Sequence, residues 1–389
     1  EYGRLLERRL EANWRRGYLV NARTFFFAGG GTGGHIYPAV AVAEKIAALE
    51  PTAKIHFLCS TRSIDAQILQ KAGFEYTTLP AKGFSLRPGR LVQFCIWFSK
   101  SYRLAKKIIA ASDNPIVVGV GGFVAAPVCR AAQKLDVSVA LLNVDIVPGR
   151  ANRMIARWAD EIFVQFADTG QYFAASKAKI HVVGCPLRSG FENPRPEQAI
   201  KQIGFDQNKK TLLITGASSG SENINEAVCS LLEKLDSFAD DWQIVHLTGH
   251  AHYEKVRQMY SGAKIAHKIL GYFDDMPNLL AAADLVVGRS GAVSVAEYAA
   301  AAVPSICVPY PYHRDRHQYL NAGKLVEAGA AVIVDDLADA KERANRLWAE
   351  LQKLMRDEKR RRQMADACKK VARLDASSKI AERLLRIMF

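Results

Sequence analysis

Glycine occupies positions 29, 30, 31, 33 and 34, with only Thr32 between them, and His35 follows at once. A run this free of side chains lets backbone N–H groups approach a ligand closely, and a following helix points its N-terminal dipole at the same place. That chemistry is anion binding. The run is not a Walker loop, since no Gly-Lys-Ser/Thr follows, nor a clean dinucleotide fingerprint with an acid about twenty residues on. A tight strand-to-helix turn is the alternative reading of the same glycines. His35 stands where an imidazole could take a proton from a hydroxyl or position a phosphate, although a histidine at a helix start also serves as a cap or packing group.

Three more loops repeat the arrangement: GVGGF (119–123), TGASSGSENIN (215–225) and GRSGAVSVAEYAAAAVP (288–304), the last with Glu297 near its helix start. Four such loops over both halves of the chain imply a ligand with more than one phosphate, held by helix N-termini. A nucleotide diphosphate fits, and no Asp-x-Asp pair is present to hold a divalent ion. Neither a metal nor a cofactor is expected.

The elements that must position these loops alternate along the chain. Segments 24–29, 54–59, 115–120, 137–142, 161–166 and 180–184 read as strands separated by helical patterns, and after the Pro-rich stretch 185–198 a second series begins at 211–216, 243–249, 264–270, 284–288 and 304–309. Such alternation predicts parallel α/β layers. The expected organisation is a basic extension at 1–23, a Rossmann-like domain at 24–184, a linker at 185–198, a second Rossmann-like domain at 199–340 and a helical tail at 341–389. The two doubly wound halves should face each other across a cleft.

The composition, 49% apolar and 24% charged over 389 residues, fits a folded two- or three-domain protein. No apolar run approaches the ~20 residues of a spanning helix, and seven cysteines with no CxxC spacing argue for a reducing compartment. Arg recurs through 1–23 where an export signal would be apolar, so none is expected there. The net charge is +14, and its distribution is uneven: +3 in 1–23, +7 in 82–112, +8 in 341–389 and −4 elsewhere. In the 82–112 segment Leu91, Phe94, Trp97 and Phe98 recur at helical spacing, flanked by Arg90, Lys100 and Arg103. That is the pattern of an amphipathic helix lying in an anionic membrane surface, and it also suits a core-packing helix with a solvated basic face. No nucleic-acid-binding module accompanies the charge, so nucleic acid is not an expected partner.

The motifs GGTGGHIYPAVAVA (30–43), GVGGFVAAP (119–127), PGRANR (148–153), FDDM (273–276) and RSGAVSVAEYAAAAVP, followed by VPYPYHRDRHQYLNA (308–322), resemble the MurG family. The resemblance runs from about Thr24 to Asp336. It implies a GT-B fold and an inverting, metal-independent transfer of GlcNAc from UDP-GlcNAc to polyprenyl-pyrophosphate-linked muramoyl pentapeptide, lipid I to lipid II. It also implies a peripheral location on the cytoplasmic face of the cell membrane. Glu297 would accept the ribose hydroxyls, a task suited to an acceptor-only carboxylate. Arg188, Ser218, Tyr272 and Phe273 would hold the uridine side. Ala292, Val293 and Ser294 would meet the diphosphate, His317 and Gln318 the sugar, with Thr32, Gly33 and Gly34 completing the donor site. Gly121, Gly122 and Asn143 would face the acceptor, and His35, aided by Asp145, would be catalytic. His246, His250 and His252 then read as part of a strand and its turn instead of metal ligands.

The chain departs from the family in three places. The usual HEQN reads LNVD (142–145), the usual GGSQGA reads GASSGS (216–221), and residues 1–23 extend beyond the family's usual start. These departures keep two alternatives open: a related membrane-lipid glycosyltransferase, or a catalytically impaired membrane-bound homologue.

Overall fold

The computed structural model describes residues 22–83, 88–217 and 219–387. The basic extension lies almost wholly outside the described residues, as do Ser218 and the side chain of Arg90.

The first sheet contains β1 (Thr24–Gly29), β2 (Lys54–Ser60), β3 (Glu75–Leu79), β4 (Pro115–Gly121), β5 (Val139–Asn143), β6 (Glu161–Val164) and β7 (Lys179–Val182), all parallel, in the order β3-β2-β1-β4-β5-β6-β7. The second contains β8 (Lys210–Thr215), β9 (Trp242–Leu247), β10 (Ala266–Leu270), β11 (Leu285–Gly288), β12 (Ser305–Cys307) and β13 (Ala331–Ile333), again parallel, in the order β10-β9-β8-β11-β12-β13. Helices cover both faces, which is why the central strands read as unbroken apolar runs. In β1, Phe25 and Phe27 pack towards Ile36, Ala39 and Val40 of the helix Gly33–Leu49, while Phe26 and Ala28 pack towards Val124 and Val128 of the helix Gly122–Gln133. Neither β3 nor β13 was expected from the sequence.

In each sheet the order reverses once, between β1 and β4 and between β8 and β11. Loops diverge there and leave a crevice at the strand C-termini. All four glycine loops begin at these two reversals.

The helical tail expected after 341 divides into three helices. Ala340–Arg356 and Glu358–Val371 add Leu351 and Met364, and Cys368, to cores that also hold second-domain residues. Ala376–Leu385 returns to the first domain, where Ile380, Ala381 and Leu384 share a core with Ile36 and Ala43. Arg383 Nη2 donates to Glu161 Oε1 at 2.9 Å, and Arg23 donates to the Leu385 carbonyl.

The basic, apolar segment forms a helix, Pro88–Ala110, packed on the helix Gly122–Gln133. Its phase differs from expectation. Phe98, Tyr102, Ala105 and Ile109 turn inward, and Trp97 is half-buried with Lys82 Nζ at 5.4 Å and Lys100 Nζ at 4.7 Å from its ring centre. Phe94 lies against Phe98 with ring centres 5.7 Å apart. The large apolar residues left outward are Leu91, Val92, Ile96 and Leu104, beside exposed Lys100, Arg103, Lys106 and Lys107. Among the described residues no helix is long and apolar enough to cross a membrane.

Candidate active site

At the first reversal, β1 gives way to the glycine turn and the helix from Gly33, whose N-cap Thr32 makes no side-chain cap hydrogen bond. The turn already holds an anion of its own. The Gly31 N–H donates to both oxygens of the fully buried Asp65, at 2.9 and 2.8 Å, and Asp65 also accepts from the Ser60 N–H at 3.1 Å and the Ser60 hydroxyl at 2.6 Å. Arg62 Nη1 donates to the Gly31 carbonyl at 2.6 Å. The Gly31 N–H is therefore already taken, and the helix start at Gly33 and Gly34 lies beyond it. The neighbouring loop presses close: Gly122 has φ +78°, and a Cβ there would stand 2.7 Å from the Gly30 carbonyl oxygen. Only glycine fits that crossing.

His35 lies between these two loops. Its Nδ1 is 3.2 Å from the Thr32 hydroxyl, and its Nε2 edge abuts Gly121, where a Cβ would come within 3.1 Å. Burial lowers the His35 pKa below the ordinary histidine value, opposed in turn by the Asp145 carboxylate, the Gly30 carbonyl and the Asp65 carboxylate. The neutral, proton-accepting ring is thereby favoured at neutral pH. Asp145 Oδ1 in turn accepts from Asn321 Nδ2 of the second domain at 3.2 Å. Asn143 is buried; its amide donates to the Asp145 carbonyl at 2.6 Å and its oxygen accepts from Asn152 at 2.8 Å, so its side chain ties loops together behind His35.

The second domain supplies two more helix starts. Neither Gly291 nor Arg316 caps the helix it precedes, Ala292–Ala300 or His317–Glu327, although the His317 N–H donates to Asp315 Oδ1 at 3.3 Å; the first N–H groups of a helix have no intrahelical partners. Together with the helix from Gly33 they meet at one cavity of about 560 Å³ between the domains, whose lining includes Thr32, Gly33, Gly34, His35, Asp145, Ala292, Val293, Ser294, Glu297, His317 and Gln318. Arg188, Tyr272 and Phe273 line the same cavity. Arg188 reaches Glu297 at 3.5 Å, donates to the Asp274 carbonyl at 3.0 Å and lies over the Tyr37 ring, 4.7 Å from its centre. Burial raises the Glu297 pKa, with Arg188 pulling the other way. The Tyr37 and Tyr272 hydroxyls meet across the domains at 2.9 Å. Gln318 Oε1 accepts from the Tyr310 N–H at 2.9 Å, which leaves its amide end for a ligand.

Residues 25–164 match the glycosyltransferase family 28 N-terminal domain and residues 211–382 the family 28 C-terminal domain. Two curated relatives named UDP-N-acetylglucosamine--N-acetylmuramyl-(pentapeptide) pyrophosphoryl-undecaprenol N-acetylglucosamine transferase are 32% identical (Alkaliphilus metalliredigens; 93% of this chain, 98% of the relative) and 34% identical (Lactiplantibacillus plantarum; 93% and 97%). The chain belongs to the MurG family of glycosyltransferases. Its GT-B fold is shared with Acinetobacter baumannii MurG, TM-score 0.71 at 24% identity, covering 94% of this chain and 100% of that one. It is shared also with a Neisseria meningitidis UDP-GlcNAc 2-epimerase bound to UDP-GlcNAc, TM-score 0.68 at 14% identity, covering 94% and 100%.

Set against the MurG family pattern, the altered loops acquire physical meaning. In GASSGS the lost glycine is Ala217, which holds φ +61° in the left-handed region. Ser221, where the family has Ala, caps the helix Glu222–Cys229 through the Ile224 N–H at 3.4 Å and accepts from Arg289 Nη2 at 2.7 Å. In LNVD, Asn143 serves the loop's interior and Asp145 faces His35 and the second domain. His246 is fully buried between the Tyr260 hydroxyl and Asn225 Oδ1, each at 3.0 Å, and burial pushes its pKa down to about 3. Both of its ring nitrogens are engaged, as a core residue's should be. Sequence reasoning missed Asp65, Tyr37 and Arg289, because each acts through a neighbour on another element; Asn321, expected beside the sugar with Gln318, donates instead to Asp145 Oδ1 at 3.2 Å and the Ser290 carbonyl at 3.3 Å.

Proposed function

We propose that the chain transfers GlcNAc from UDP-GlcNAc to lipid-linked muramoyl pentapeptide, with inversion, at the cytoplasmic face of the cell membrane. The observation that carries this reading is the meeting of three helix N-termini and a half-buried histidine at one interdomain cavity. The acceptor hydroxyl attacks the anomeric carbon, its proton passes to His35, and the bond from that carbon to the β-phosphate oxygen breaks as UDP departs. Charge grows on the diphosphate during this step. The N–H groups of Ala292, Val293 and Ser294, fixed before the reaction, stabilise it without reorganising. Glu297 receives the ribose hydroxyls, with Arg188 holding it in place, and the amide of Gln318 reads the sugar. Asp145 stabilises the imidazolium once His35 is protonated.

The helix Pro88–Ala110 seats the protein on an anionic bilayer through Leu91, Val92 and Ile96, ringed by its cations. It packs on the helix Gly122–Gln133, which begins beside His35, so a lipid-anchored acceptor is presented near the base.

Incubation with labelled UDP-GlcNAc and lipid-linked muramoyl pentapeptide should give labelled disaccharide lipid. UDP binding without transfer would refute the reading in favour of an impaired homologue, and transfer to diacylglycerol would favour a membrane-lipid transferase. Replacing Val92 and Ile96 by Ser should reduce co-sedimentation with anionic vesicles; undiminished sedimentation would remove that helix from the membrane contact.

A further inference from the structure

We infer that Asp65 is a positioning residue for the transfer, keeping phosphate out of the glycine turn and aiming His35 at the cavity; this rests on the transferase reading above. The geometry is specific. Asp65 is fully buried, and its two oxygens take four donor contacts from three groups: the Gly31 N–H twice, the Ser60 N–H and the Ser60 hydroxyl. A Cβ on Gly30 would lie 2.2 Å from Asp65 Oδ2, so carboxylate and turn are packed in contact. Arg62 closes the other side of the same peptide by donating to the Gly31 carbonyl at 2.6 Å.

Two consequences follow. First, the N–H that a phosphate would seek at Gly31 is taken, and a second anion there would meet a buried carboxylate. An anion approaching the first helix is thereby confined to its start at Thr32–Gly34. Second, the turn so fixed sets the direction in which Thr32 and His35 leave it, since the Thr32 hydroxyl meets His35 Nδ1 at 3.2 Å. The charged groups that bear on the ring are Asp145, from the loop after β5, and Asp65, from the helix Ser63–Ala72, and both favour its protonated form. Removing the Asp65 charge therefore weakens His35 as a base.

The test uses the full chain in steady-state transfer across pH, together with UDP binding by calorimetry. Asp65→Asn keeps the shape and removes the charge. It should lower kcat about 10- to 100-fold, move the acid limb of kcat/KM to lower pH, and leave the UDP dissociation constant within about twofold, since UDP is held by the other domain. Ser60→Ala, which removes one donor and keeps the charge, should lower kcat by less and leave the limb in place. An Asp65→Asn enzyme with unchanged kcat, or a reduced kcat with an unmoved limb, would overturn the inference. If Asp65→Asn fails to fold, a Ser60→Ala enzyme with full kcat overturns it instead. A wild-type chain that binds UDP and transfers nothing sinks the transferase reading and this inference together, whereas an active wild type with an indifferent Asp65 sinks the inference alone.

Discussion

The six strands of the second sheet repeat the order of the first six of the first sheet, which adds β7 at its edge, yet the turns at the two reversals differ. The turn after β1 is filled by its own carboxylate, Asp65, and leads directly to His35. The turn after β11 is left open: Arg289 braces it from behind, through the Val308 carbonyl at 2.9 Å, Ser221 at 2.7 Å and Asp336 at 2.8 Å, while the N–H groups at the start of Ala292–Ala300 face the cavity. The fold supplies helix dipoles at both places. In the proposed reaction, what is buried behind each turn decides whether those dipoles serve a base or a leaving group.

The largest effect should come from the first turn. His35→Ala removes the imidazole proposed to take the acceptor's proton, and kcat should fall about 10²- to 10⁴-fold. UDP affinity should stay within about twofold of wild type if the halves divide the work as described. Parallel losses in both measurements would break the comparison, because His35 would then belong to the donor site.

Next is Glu297→Ala in the second half. The half-buried carboxylate would donate nothing and accept two ribose hydroxyls, and hydrogen bonds to a charged group are worth about 1.5–3 kcal/mol. UDP-GlcNAc affinity should drop about 10- to 100-fold by calorimetry. An unchanged dissociation constant would show that Glu297 serves only to hold Arg188, 3.5 Å away.

Much of this division could be read in the sequence, for a physical reason: glycines that permit positive φ or close backbone approach stand out at strand ends, so all four loops were legible. Asp65 was not, because an aspartate at an ordinary helix start is usually solvated, and only the fold shows it turned inward onto Gly31. The strands β3 and β13 escaped notice because they are short edge strands of five and three residues, the former the polar run EYTTL. The helix Pro88–Ala110 was legible as amphipathic, but its phase was set by the helix Gly122–Gln133, which draws Phe98 inward and leaves Val92 and Ile96 outside. Interdomain pairs such as Asn321 with Asp145 have no local signature at all.

A smaller effect concerns stability and distinguishes the halves by pH. His246 is buried uncharged in the second domain, its pKa depressed from 6.5 to about 3. Between those values the unfolded chain binds the proton and the folded one does not, so stability falls as pH drops through that window. The slope from this group approaches about 1.4 kcal/mol per pH unit and disappears below the folded value. His246→Gln, which keeps a hydrogen-bonding side chain and removes the titration, should flatten the acid side of the urea-unfolding profile. An unaltered profile would mean that His246 takes up its proton without unfolding.

The smallest effect probes the strained backbone of the second half. Ala217 holds φ +61°, a conformation that costs an L-residue about 1–2 kcal/mol. Glycine there would relieve that strain but enlarge the unfolded chain's freedom by about 0.4–1 kcal/mol, so Ala217→Gly should raise stability by about 0.5–1 kcal/mol in urea titration. The functional readout sharpens the comparison. Ala217 lines the donor cavity, so a strain that serves to preorganise the loop would make the stabilised variant bind UDP more weakly. Equal UDP affinity would assign the strain to sequence drift that the Ser221 cap compensates. Either result locates the second half's preorganisation: in the loop's backbone, or in the helix starts and Arg289 behind them.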